Sequence, residues 1–208
     1  GHIERTSAMT VGACPGQFTA NTMAMVAETL GFSFLGSATL PAVYSERLAL
    51  ARRAGRRAMQ MLAEGGPLPR DLITRKSLEN VCATVAATGG STNAALHIPA
   101  IAHEAGIRFR LDDVAEVFNR TPLIADLQPG GRYLAKDLHV IGGVPVVLNA
   151  LLQSGHLHGD TMTITGRTLA EELSAFPGAD GRIVRSASDA IHPSGGLVVL
   201  KGNLCPSG

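Results

Sequence analysis

GACPGQFTANTMAM, residues Gly12 to Met25, sets a cysteine among glycines and then runs into an apolar stretch. Phe18, Met23, Val26, Ala27 and Leu30 recur near helical spacing, so a helix is predicted over 18–30, with Gly31 as its stop. Cys14 then falls in a turn at a helix N-terminus. Unpaired backbone N–H groups and the positive end of the helix dipole gather there, and both stabilise a thiolate, the form that ligates metal or attacks an electrophile. Spacing alone leaves the other reading open, a buried structural cysteine, because no Cys-x-x-Cys or His-x-x-His pair lies nearby.

Outward from this turn the chain reads as helix after helix. Residues 44–64 form a second one, with Ser45 as N-cap and Leu48, Met59 and Leu62 on its apolar stripe. Its arginines, Arg52, Arg53, Arg56 and Arg57, read as a solvated face rather than an anion site. A loop over 65–71 leads to a helix over 74–88, in which Cys82 reads as a small buried apolar residue. Further helices are expected over 91–106 (broken or kinked at Pro99), 111–121, 144–154 and 168–176. TMTITG at 161–166 and GGLVVLKGNL at 195–204 read as strands. The fold class is α/β and helix-rich.

The 208 residues are 45% hydrophobic and 17% charged, with 24 glycines and 11 prolines, the profile of a globular chain with many turns. A net charge of +1, with no Lys/Arg block and no tryptophan, argues against a nucleic-acid or anionic-membrane partner. No apolar run is long enough for a transmembrane helix, and the first residues lack the pattern of a signal peptide. Three widely spaced cysteines do not make a disulfide framework, so a reducing, cytoplasmic setting is expected.

Two further stretches could carry chemistry. In ATGGSTNAALH, Ala87 to His97, two glycines precede Ser91, Thr92 and Asn93 at a helix start. That suits a carboxylate or phosphate oxygen, and equally plain helix capping. In ADLQPGGRYLAKDLHVIGGVP, Ala125 to Pro145, Asp126, Lys136, Asp137 and His139 stand among paired glycines, without a nucleophile–base spacing.

Taken together, GACPGQFTANTMAM, TRKSLENV, ATGGSTNAALHIPAIA, ADLQPGGRYLAKDLHVIGG, LHGDTMTITGRTLAE and LVVLKGNL resemble consecutive stretches of the iron–sulfur dihydroxy-acid, sugar-acid and 6-phosphogluconate dehydratase family. The resemblance covers nearly the whole chain but well under half of a complete family member. It implies that residues 1–178 belong to the family's N-terminal domain, 179–195 to a linker, and 196–208 to the start of a C-terminal β-barrel. It implies that Cys14 is one of three cysteine ligands of a [2Fe-2S] cluster, the other two lying upstream; Cys82 and Cys205 do not match their motifs. Mg2+ ligands and a serine base also have no matching motif here.

The reaction so implied is loss of water from a small 2,3-dihydroxy acid to give a 2-oxo acid, as in valine and isoleucine biosynthesis. Iron with an open position would turn the 3-hydroxyl into a better leaving group while a base takes the C2 proton. Ser91, Thr92, Asn93 and His139 are expected near the substrate. A homodimer is expected of the full-length protein, and no activity of this segment alone. A sugar-acid dehydratase, or a structural segment without chemistry, are the alternatives.

Overall fold

A computed structural model describes residues 14–206 and 208. The chain there is an assembly of helices: α1 (Thr19–Thr29), α2 (Glu46–Glu64), α3 (Pro69–Leu72), α4 (Arg75–Thr88), α5 (Ala94–Glu104), α6 (Leu111–Arg120), α7 (Ala135–Val140), α8 (Val144–Gln153) and α9 (Leu169–Leu173), with a 3-10 turn at Ala187–Asp189.

The fold is organised around α4. Thr74 and Ser77 cap its start reciprocally, the Ser77 N–H donating to Thr74 Oγ1 and the Thr74 N–H to Ser77 Oγ. Gly89 closes it in the left-handed conformation. Its residues from Ser77 to Thr88 are buried except Glu79, and α1, α5, α6 and α8 all pack on it. Small side chains (Ala83, Ala86, Ala87) let those neighbours come close, while Leu78, Val81 and Val85 supply apolar area. Buried hydroxyls do not go unpaired: Thr84 and Thr88 each donate to the carbonyl four residues back, and Asn80 exchanges two bonds with the His158 backbone. Cys82 sits fully inside, where burial pushes its thiol pKa up, as a structural cysteine should behave.

The helix-rich expectation holds, but the strands do not form ladders. Among the described residues pairing is limited to isolated bridges, such as Leu123 with His192 and Ala125 with Val184. TMTITG folds as a turn and not a strand. The Thr163 hydroxyl accepts from the Thr165 N–H and donates to the Arg167 carbonyl, so side chains take backbone groups a ladder would need. Residues 197–200 have no regular secondary structure and alternate in exposure, without a partner strand among the described residues. Residues 179–195 lie against the helices, with Ile183 and Val184 buried and Gly195 bonded to the Phe118 carbonyl.

Three local expectations are corrected. Helix α5 continues through Pro99 without a break. Ser45 precedes α2 but its hydroxyl bonds Glu46 and caps nothing. The apolar stripe expected on α2 is not buried, while Arg52, Arg53 and Arg56 are exposed as expected. Leu48, Met59 and Leu62 are exposed, and no residue of the helix is fully buried. Two of its arginines do the attaching instead: Arg53 lies over the Phe34 ring at 3.8 Å, and Arg57 donates to the Ile164 carbonyl and pairs with Glu64. Their guanidinium groups meet a ring face and acceptors.

Candidate functional site

Cys14 stands in the turn that leads into α1, half-buried, as the sequence suggested; Gly12 and Ala13 of the same motif lie outside the described residues. A side chain of α1 and two backbone bonds, the Ala135 N–H to the Pro15 carbonyl among them, hold the turn. Asn21, in the first turn of α1, donates its Nδ2 to the Cys14 carbonyl at 2.6 Å and the Gly16 carbonyl at 2.8 Å. The Cys14 Sγ donates to that same Gly16 carbonyl at 3.3 Å. Gly16 presses on a neighbouring loop, where a Cβ would meet the Gln128 carbonyl oxygen at 2.7 Å, so no larger residue fits. The next residue, Gln17, donates its N–H to the same carbonyl.

Cys14 lines a cavity of about 400 Å³ together with Asn21, Thr39, Tyr44, Arg47 and Lys136. Arg47 and Lys136 are cations, so the cavity favours an anionic group. One wall is the loop after α1, and Glu28 holds it. This carboxylate is fully buried and accepts from the N–H groups of Gly36 at 2.7 Å and Ala38 at 2.8 Å. Burial raises its pKa to about 7, against the pull of the backbone N–H groups that favour the charge. Nothing in the sequence pattern set Glu28 apart from an ordinary helix-surface acid.

His139, on α7, stands behind that wall. Its Nδ1 lies 3.4 Å from Thr39 Oγ1 and its ring meets Tyr44 edge-on at 5.9 Å. Burial holds its pKa below the usual histidine value, partly countered by Glu46, so it is neutral at pH 7. Asp137 turns back to accept from the Leu134 N–H and starts the helix.

Ser91, Thr92 and Asn93 lie at the turn before α5, which is tied to α1. Thr19 Oγ1 is 3.2 Å from Ser91 Oγ and accepts from Asn93 Nδ2 at 2.7 Å, while Thr22 Oγ1 accepts from the Ser91 N–H. Ser91 and Thr92 line a different cavity from that of Cys14, with Gln17 and Asp126; Asn93 is exposed beside it. The structure thus leaves His139 behind the wall of the cysteine cavity, outside its lining, and places Ser91 and Thr92 at a second cavity.

The described residues contain no group of three His, Cys, Asp or Glu side chains placed to hold a metal ion. Iron–sulfur clusters are held by several thiolates. Cys82 is sealed in α4 and Cys205 is exposed beyond residue 200, which leaves Cys14 as the thiol at this cavity. One thiolate is not a cluster site, so this chain does not by itself fit the group.

A thiol in a helix-entry turn, over a cavity with two cations and inside a helical domain, defines a class of site suited to small anionic substrates. The family follows from comparison. Residues 1–172 match the model of the dihydroxy-acid/6-phosphogluconate dehydratase N-terminal domain, and the chain belongs to that family. It is 70% identical over 206 residues to dihydroxy-acid dehydratase 2 of Bordetella bronchiseptica, covering 99% of this chain and 36% of that protein. It is 62% identical to dihydroxy-acid dehydratase 3 of Bradyrhizobium diazoefficiens, covering 99% of this chain and 35% of that one. The chain therefore spans about a third of the length of these curated relatives. No helix among the described residues is long and apolar enough to cross a membrane.

Proposed function

We propose that this chain is part of a hydro-lyase that converts a 2,3-dihydroxy carboxylate to a 2-oxo acid, in branched-chain amino-acid biosynthesis. The observation that supports this most is the placement of Cys14 at a cavity with Arg47 and Lys136, in a chain of the dehydratase family. In the reaction the C3–O bond breaks and water leaves, C2 loses its proton, and the enol becomes the ketone. The cations of the cavity suit the substrate carboxylate and the charge that builds up as C2 loses its proton.

In this reading Cys14 contributes one thiolate to a [2Fe-2S] ligand set, and an Mg2+ site lies in other parts of the longer protein. Asn21 is a positioning residue that fixes the Cys14 turn. His139, held neutral, supports the Thr39 and Tyr44 wall rather than carrying charge. Ser91, Thr92 and Asn93 approach the substrate from the far side of the turn. The full-length protein is a homodimer in this reading, and residues 196–208 begin its barrel domain.

The test is release of 2-oxo acid from 2,3-dihydroxyisovalerate, with anaerobic reconstitution by iron and sulfide. The full-length parent turns over and Cys14→Ser abolishes both cluster absorbance and activity. The 208-residue chain alone gives neither. Unchanged activity of the Cys14→Ser parent removes the ligand role, and turnover of a hexonate in place of the branched substrate favours the sugar-acid reading.

A further inference from the structure

Between α2 and the turn around Thr165 lies an open cleft of about 330 Å³, lined by Phe34, Arg53, Arg56, Arg57, Gln60 and Thr165. Half of these side chains are guanidinium groups, and no carboxylate is among the lining residues. The helix itself gathers them, because Arg56 and Arg57 follow Arg53 by three and four residues. Like charges at that spacing repel, so the cluster costs stability unless a counter-charge meets it.

Two of the three arginines are held by neutral groups, which fix them without cancelling their charge. The Arg53 guanidinium stands 3.8 Å over the Phe34 ring, and Arg57 donates its Nε to the Ile164 carbonyl. One carboxylate among the described residues reaches the group, Glu64 on Arg57 Nη1 at 2.9 Å, and it is 57% exposed. Arg56 is exposed and makes neither an ion pair nor a side-chain hydrogen bond among the described residues. Positive charge is therefore left over, together with unused N–H donors on all three forks. Gln60 adds an amide to the same wall. Donors anchored in advance lose little freedom when they grip a ligand. A carboxylate ligand has two oxygens in one plane. A phosphate group has three terminal oxygens spread around phosphorus, one for each fork, and a charge of about −1.5 to −2 at pH 7.

We propose that this cleft binds a phosphate-type anion, as free phosphate or as the phosphate group of a monoester, through Arg53, Arg56 and Arg57. The proposal does not depend on Cys14 being a cluster ligand, since the cleft and the Cys14 cavity share no lining residue.

The test is calorimetric titration of the 208-residue chain at constant ionic strength, with inorganic phosphate, glycerol 3-phosphate and acetate in separate arms. A phosphate arm gives one saturable site per chain, and acetate gives none. Tighter binding of glycerol 3-phosphate identifies a monoester as the ligand, and tighter binding of inorganic phosphate identifies the free ion. Arg56→Gln removes a charged donor that pairs with nothing in the chain, and weakens phosphate binding about tenfold. Arg52→Gln, on the same helix but outside the cleft lining, weakens it by less than about twofold. Cys14→Ser leaves it unchanged. The proposal is overturned if neither phosphate arm saturates, or if acetate binds as tightly. It is also overturned if Arg52→Gln weakens binding as much as Arg56→Gln, since that marks a diffuse attraction to the helix. Binding by the 208-residue chain that is lost in the full-length parent overturns it as well, because another segment then covers the cleft.

Discussion

Helices α4 and α2 carry opposite solutions to the same problem. In α4 eleven residues are buried, and the hydroxyls among them find partners within the helix or on its neighbours. In α2 none is buried, although the helix is longer and its sequence is no less amphipathic to the eye. Apolar side chains attach α4, and arginines attach α2. Burial follows what surrounds a helix: α1, α5, α6 and α8 pack around α4 at the centre, and α2 is held at the edge by Arg53 on Phe34 and Arg57 on the Ile164 carbonyl.

The comparison is broken most easily from the α4 side. Leu78→Ala removes a side chain that is 1% exposed, and should lower stability by about 2–5 kcal/mol in urea unfolding. A loss below about 1 kcal/mol would mean that the centre of the fold is not packed around α4.

Glu28, on the neighbouring α1, sharpens the contrast between buried and exposed charge. Its native pKa of about 7 lies above the ordinary value of 4.5, so the folded chain holds the proton more tightly than the unfolded one. The stability tied to this group is therefore full below pH 4.5 and is lost as pH rises toward 7. Glu28→Gln should abolish that pH dependence, on the order of 1–3 kcal/mol across the window, in unfolding curves recorded at several pH values. An identical pH slope in parent and variant would show that Glu28 does not bury its charge.

On α2 the expected effects are smallest, and their order contradicts hydropathy. Arg57→Ala should cost about 1–2 kcal/mol, since its side chain is only 13% exposed and bonds a carbonyl. Leu62→Lys, at an exposed position, should stay within about 0.5 kcal/mol. If Leu62→Lys destabilises more than Arg57→Ala, the apolar face of α2 is covered in solution and the comparison must be redrawn.

Much of the chain could be read from residues alone. Helical periodicity placed α1, α2, α4, α6 and α8 to within a few residues, because a 3.6-residue period with glycine stops is a local signal. The turn at Cys14 was legible for the same reason, as was the buried character of Cys82 in an apolar helix. The strands failed because two-residue alternation in TMTITG is equally available to threonines that bond their own backbone.

Local pattern determined that helices form here, where they begin and end, and that a cysteine stands where a helix starts. Those properties depend on residues within a few positions of one another. Tertiary structure alone decided that the apolar stripe of α2 stays exposed, that Asn21 holds the Cys14 turn, and that Glu28 and Gln17 are buried. The long-range groups among these are Ile164 for α2 and Gln128 against Gly16 for the turn. A side chain's burial and the bonds it finds are properties of its neighbours in space, and the sequence period does not carry them.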